Sequence, residues 1–440
     1  MKFRSVVAAA AAATVAVALA GCAGASGDET AAAPDAESAG PVTLEWWTWW
    51  AGAPAIADAW NTDHPDITVK VNNVGGGTEQ FTKLNAAIRA GEGPDLALAE
   101  YQWLPSYVSN GVAADIAEYV GDAEAAYNPA VWSLVQLGDG VYAVPLDQAP
   151  MLMMYRVDLF EQYGIEVPRT WDEFRDAAEA VKRAAPDSVL VNMPINDAGW
   201  MAGLVAQNGT SWWAYKNDAW SVDIDGKGSR QVAEYWNGLV DDGLATAGAT
   251  GTPEFNTQLN TGKILTQVIG SWGATGSSIK SGAPDTLGKW RIANLPAWKQ
   301  GDADVGFQGG SATLVTTVSK HPKQAAEFLT WLGSTAEGQR AMIEAGGNFP
   351  ASNPGLEEFA KVPLPDDKAC SGQEDYHDVL LDVAANEAEV TWGPNTTIAF
   401  SAYSDQMPKA KDGGTRFVDA LTSVDETVTN DLEKSGFTVD

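Results

Sequence analysis

Between Val42 and Ala99 the chain alternates between two periodicities, and no other feature constrains its fold as much. Val42, Leu44 and Trp46 recur at every second position, the mark of a strand ending near Trp47, and a helical stretch follows from Pro54 through Trp60. Ile67, Val69 and Val71 alternate again. After the turn Gly75-Gly76-Gly77, the residues Phe81, Leu84 and Ile88 share one helical face, Gly91 supplies a stop, and Leu96-Ala97-Leu98-Ala99 reads as a third strand. Strand, helix, strand, helix, strand demands a parallel sheet with right-handed crossovers, so the fold class is α/β. Ligands of such sheets gather at the carboxyl ends of the strands, which directs attention to the loops after Trp47 and after Ala99.

With 440 residues the chain exceeds what one hydrophobic core organises, so two lobes are expected. Further along, Thr170 and Glu173 have the spacing of a capping box ahead of the apolar face Trp171, Phe174, Ala178 and Val181. Pro322 stands at a first helical position before Ala325, Phe328, Leu329 and Leu332, and Ser334 with Glu337 forms a second capping box. No repeat of solenoid type is present.

The N-terminus places the protein. Lys2 and Arg4 precede an apolar run from Val6 to Ala20 that is too short to span a membrane, and Leu19-Ala20-Gly21-Cys22 closes it. The pattern resembles the bacterial lipoprotein signal, which implies removal of residues 1–21 and lipidation of Cys22; a plain secretory leader is the alternative, and both export the protein. Residues 22–41 carry no bulky apolar side chain after Cys22 and read as a flexible spacer. The expected location is extracytoplasmic, anchored by lipid to the outer face of the cell membrane.

A net charge of -31 argues against nucleic acid as a partner. The excess reads as a solvated surface, with a cationic ligand as the alternative. Once Cys22 is assigned to lipid, Cys370 has no partner for a disulfide and reads as an inert surface or loop thiol. His64, His321 and His377 are scattered, so no transition-metal site is expected, while an oxygen-only calcium site stays open. No cofactor is expected: P-loop, nucleophile elbow and metal-ligand spacing are all missing from the sequence.

Tryptophan is the unusual residue, 18 in all, enough to furnish a core and still line a cleft where flat apolar faces meet sugar rings. Several segments then resemble, in order, the extracellular solute-binding proteins of ABC importers, in the group that mostly carries sugars. They are His64-Pro65-Asp66-Ile67, Gly91-Glu92-Gly93-Pro94-Asp95-Leu96 and Val141-Tyr142-Ala143-Val144-Pro145, followed by Met154 through Phe160 and Pro168 through Phe174. Arg156 stands where Asn is common. The stretches Gly309-Gly310-Ser311 to Thr317, Ser319 through Leu329, and Gly347 through Ala351 are similar to the family's later segments. The resemblance implies two α/β lobes joined by crossing strands, one of residues 41–148 plus about 308–335, the other of 149–307 plus about 336–440. It also implies a saccharide in the cleft, closure by hinge motion, permease subunits as partners, and a monomer.

Within that frame Trp272, in Gly270-Ser271-Trp272-Gly273, is the leading candidate for a sugar platform, with hinge packing as the alternative. Trp49 and Trp50 lie past the first strand at the expected rim, whereas Trp46 and Trp47 are assigned to the core. Glu100, Tyr101 and Gln102 follow the third strand, and Asp147 and Gln148 precede the crossing to Met151; both sets are candidates to bond hydroxyls. Asn196, Asp197 and Trp200 open a helix of the second lobe, Gly309 and Gly310 let backbone approach ligand or flex, and Trp392 completes the set. No residue is assigned a catalytic role. The competing readings are a receptor for a cationic or amino-acid-like solute, a lipid-anchored glycoside hydrolase using two carboxylates, and an adhesive lipoprotein.

Overall fold

The expected parallel strands are Val42–Trp47, Ile67–Asn72 and Leu96–Glu100 in the computed structural model, which describes residues 40–274, 277–346, 348–363 and 369–440. The leader, Cys22 and almost all of the spacer lie outside the described residues. Leu44, Trp46, Leu96 and Leu98 are fully buried, so alternation and the continuous apolar run both did what their periods require. Two further strands join this sheet: Ser311–Val315 runs antiparallel to Leu96–Glu100 on one side and to Val144–Asp147 on the other.

A second, three-stranded antiparallel sheet has Met151–Arg156 at its centre, flanked by Thr266–Gly270 and Trp290–Asn294. A parallel pair, Val191–Pro194 with Ala245–Gly248, lies in the same half of the chain. The two sheets organise the two lobes. The chain passes between them at 148–150 and returns at 306–310, and these segments run side by side: Gln308 N–H donates to Ala149 C=O (2.9 Å) and Met151 N–H to Gly306 C=O (2.7 Å).

Helix Ala336–Gly346 packs on Ala53–Asp63 and Pro322–Ser334, and Asn353–Phe359 packs on it in turn. Gly338 sits against the backbone of Trp331 and Leu332, where a Cβ has no room, and this lets the two helices meet closely. Helix Tyr376–Ala385 then returns to the second sheet, against Trp290–Asn294.

One helix cap keeps its residue but not its box, and another shifts by a residue. Thr170 accepts the Glu173 N–H at 3.2 Å as expected, yet the Glu173 carboxylate takes the N–H of Arg169. Ser334 ends its helix and contacts the Tyr127 hydroxyl at 3.2 Å; Thr335 caps the next helix, accepting Gly338 N–H at 3.1 Å. Cys370 is fully buried, not at the surface, and burial pushes its thiol up to about 12.

Most of the indole is core. In the second lobe Trp236 packs with Trp171, Trp200 and Phe174, ring centroids 4.8 to 6.2 Å apart. In the first, Trp60 lies against Phe328 and Trp331 and stacks on His64 at 3.4 Å.

Candidate functional site

The strand Leu96–Glu100 is buried until its last residue, where the chain turns into the short helix Tyr101–Trp103. That turn curls the Trp103 indole back so that its N–H donates to Glu100 Oε2 (3.1 Å), and the Gln102 amide donates to the same oxygen. Asp147 ends the strand Val144–Asp147, on the far side of Ser311–Val315. Its Oδ1 accepts from the backbone N–H and the hydroxyl of Ser311 (2.7 and 2.5 Å), and its Oδ2 from the Asn348 amide (2.9 Å). Tyr101 closes this corner by donating its hydroxyl to Asp147 C=O at 2.9 Å.

From the second lobe comes Asp197, the cap of helix Ala198–Gln207, with Oδ1 on Trp200 N–H (3.0 Å). Its Oδ2 accepts from the Gln308 amide at 2.6 Å. Gln308 is the junction: its Oε1 accepts Gly270 N–H (2.9 Å), and its backbone carbonyl accepts the Trp272 indole N–H (2.8 Å). One buried side chain in a crossing segment thus ties Asp197, the end of strand Thr266–Gly270 and Trp272 together. Trp272 keeps 40% of its surface exposed, so its edge is fixed while apolar area remains open to solvent.

The carboxylates sense one another. Burial first, then the charge of Asp197 and that of Asp147, push Glu100 up to about 7 against the pull of the Trp103 N–H. Burial raises Asp147 to about 6 despite the bonds from Ser311 and Asn348, and raises Asp197 despite those from Trp200 and Gln308. Acidic groups from both lobes therefore share one poorly solvated region, which Gln308 of a crossing segment joins through Asp197. The lobes meet beside it, where Ser106 Oγ donates to Pro394 C=O (2.7 Å) and the Trp103 ring lies 5.0 Å from Phe400.

The other candidates divide. Trp49 and Trp50 are half-buried at the carboxyl end of the first strand, with the Trp49 ring over Gly76. Gln148 is buried and spends its amide on Pro350 C=O (2.8 Å), and Asn196 is exposed and takes Thr250 N–H (3.1 Å), so each fastens a segment. Trp200 is no platform: it is fully buried, its N–H donates to Val268 C=O (2.9 Å) and its ring packs on Trp236. Trp392 is also buried, among Trp213, Phe307 and Phe400. Sequence reasoning missed Gln308 and Phe400; the only signal for Gln308 is its place before Gly309-Gly310.

Those glycines have φ of +93° and +82°, the left-handed region. A Cβ on Gly310 would come within 2.9 Å of the Tyr101 ring and 3.4 Å of Ala149 N. Gly310→Ala is expected to destabilise the fold by roughly 2 kcal/mol, the left-handed penalty plus the displaced Tyr101, read as a lower denaturation midpoint. An unchanged midpoint would show that Tyr101 yields freely.

Two lobes, paired crossing segments and a polar cluster with an exposed indole between them define a two-lobed binding protein. The sequence profile of the family described as bacterial extracellular solute-binding protein matches residues 50–339, and the chain belongs to that family. Its place of work is accordingly outside the cytoplasm. Similar proteins include an arabinooligosaccharide-binding protein of Bacillus subtilis (strain 168), 24% identical over 66% of this chain and 68% of its own length. A multiple sugar-binding protein of Streptococcus mutans is 26% identical over 51% of this chain and 54% of its own. Among solved structures, the galacto-N-biose/lacto-N-biose I-binding protein of an ABC transporter from Bifidobacterium longum, in complex with lacto-N-biose, superposes with a TM-score of 0.82 and 28% identity, covering 92% of this chain and 100% of that one. A binding protein from B. animalis subsp. lactis Bl-04 in complex with beta-1,6-galactobiose gives 0.78 and 26%, covering 90% and 99%.

Proposed function

We propose that the chain captures a short oligosaccharide between its lobes and presents it to the permease subunits of an ABC importer. The observation that carries this reading is the exposed Trp272 indole, pinned by Gln308 beside acceptors from both lobes. An aromatic face adds about 0.5–1.5 kcal/mol beyond area burial, and a sugar hydroxyl left unpaired costs about 1–3 kcal/mol, so platform and carboxylates work together. The sugar-binding names of the relatives support the same class.

A ligand that touches both lobes only when they are together shifts the population toward that state, which is what a transporter reads. Glu100, Asp147 and Asp197 accept hydroxyl protons, and a Glu100 held near 7 also donates in its neutral form. The relatives carry the names of binding proteins, and the reading here is binding without hydrolysis: oligosaccharides incubated with the protein should be recovered intact. A cationic solute is the second reading, favoured by three converging carboxylates, but a half-neutral Glu100 weakens it.

A thermal-shift screen separates the two, using protein that begins after Cys22 and so keeps every described residue. The panel is xylo-, arabino-, cello-, malto- and galacto-oligosaccharides with polyamines and amino acids. A ligand at a hundred times its Kd adds about 2.7 kcal/mol. Stabilisation by one oligosaccharide class, insensitive to salt, is expected; a response to polyamines alone, weakened by salt, would overturn it.

Lipid anchorage through Cys22 and a monomeric state complete the proposal. Cys22→Ala should move the protein from membranes into the medium, and the released form should sediment as one chain.

A further inference from the structure

Glu100 and Asp197 stand on opposite sides of the line where the lobes meet, and one pair of rings joins them. Glu100 Oε2 holds the Trp103 indole N–H (3.1 Å), and the Trp103 ring lies 5.0 Å from Phe400. Phe400 belongs to helix Thr396–Gly413, which packs on helix Ala198–Gln207. Its ring reaches the first turn of that helix: a Cβ on Gly199 would meet Phe400 at 3.6 Å and Asp197 Oδ1 at 3.3 Å. The two carboxylates therefore flank the same ring pair, one from each lobe. Parting the lobes parts them, and lets water reach both.

Their bonds decide which of them takes a proton. Asp197 spends both oxygens, Oδ1 on the Trp200 N–H (3.0 Å) and Oδ2 on the Gln308 amide (2.6 Å). It also caps helix Ala198–Gln207, whose N-terminal end favours an anion. Burial raises Asp197, but these donors pull against it and hold its charge. On Glu100 the Trp103 and Gln102 donors both go to Oε2, so a proton on Oε1 breaks neither bond. When the pair meets in a site poor in water, Glu100 is the member that neutralises.

The surrounding groups add to the repulsion. The charges acting on Glu100 are those of Asp197 and Asp147, both negative. Asp147 is held by Ser311 and Asn348, bonds that do not pass through Asp197. Burial lifts the hydroxyls of Tyr101, Tyr107 and Tyr403 above their ordinary value, so they keep their protons. Glu387, whose charge acts on Tyr101, is held up to about 8 by burial.

We propose that the lobes close on a protonated Glu100, so that capture of an oligosaccharide takes up one proton from solution and weakens as pH rises. The proposal rests on the oligosaccharide reading above and adds a dependence on the acidity of the medium. With the lobes apart, Glu100 is a solvated carboxyl near its ordinary value of 4.5; with the lobes together it is held up to about 7. Closure therefore takes up a proton between those values, and affinity is greatest at the acidic end. The proton comes from the buffer and goes to Glu100 Oε1.

Calorimetric titration with the oligosaccharide that the screen selects, at pH 6 in phosphate, MES and imidazole, tests it, because these buffers differ in heat of ionisation. The measured heat should change with buffer in proportion to that difference, by about one proton per oligosaccharide bound. Wild-type affinity should fall about tenfold from pH 5.5 to pH 7.5. Glu100→Gln keeps an oxygen for the Trp103 N–H and carries no charge, so its heat should not vary with buffer and its affinity should be the same at both pH values. Wild-type heat that does not vary with buffer overturns the inference and leaves the receptor reading intact. A buffer dependence that survives in Glu100→Gln overturns it as well, since another group then takes the proton. No binding of any oligosaccharide overturns both readings.

Discussion

Trp272→Ala should weaken oligosaccharide binding by about 2–4 kcal/mol, roughly 30- to 1000-fold, and leave the unfolding midpoint of the free protein close to wild type. The affinity loss has the size of an aromatic anchor in a desolvated centre. The retained stability follows from its exposure of 40%: little core is removed, and the space vacated by the indole should let water replace it on the Gln308 carbonyl. Calorimetry paired with thermal unfolding checks both halves. A variant that binds as wild type but unfolds earlier would make Trp272 a hinge-packing residue.

Glu100→Gln should give a stability difference from wild type that grows with pH. A carboxyl whose folded value is raised contributes stability that is full below its ordinary value of 4.5 and lost as pH climbs through about 7. Each unit corresponds to about 1.36 kcal/mol, so ionised Glu100 costs on the order of 3 kcal/mol at pH 8, less whatever the solvent reaching a half-buried group relieves. Glutamine copies the neutral form and keeps an oxygen for the Trp103 N–H. The variant should therefore unfold at higher temperature than wild type at pH 8, with the gap closing toward pH 4.5. A gap constant across that window would mean that burial and the neighbouring carboxylates do not raise Glu100 in the folded state. Ligand affinity should fall in the same variant, because an acceptor is lost.

The first sheet was readable because its strands alternate or run apolar without interruption, and the loop rule directed attention to Glu100 after the third strand, while Asp147 drew notice only by its place before the crossing to Met151. Trp200 shows where such reading stops. It follows a strand end just as Trp272 does, yet the aromatic cluster around Trp236 draws it inward, and that cluster is assembled from helices 171–184, 198–207 and 227–241 that no local pattern brings together. Gln308 was invisible for a related reason: a single polar residue has no periodicity, and its partners Asp197, Gly270 and Trp272 lie 36 to 111 positions away. The close meeting of helices 322–334 and 336–346 was equally hidden, because it turns on Gly338, whose value is the absence of a side chain at a helix contact.

Small-angle scattering of the protein with and without the oligosaccharide found by the screen bears most directly on capture between two lobes. The account predicts a smaller radius of gyration at saturation, with Trp272→Ala reaching it only at far higher ligand concentration. Saturable binding by calorimetry with an unchanged radius of gyration would contradict it.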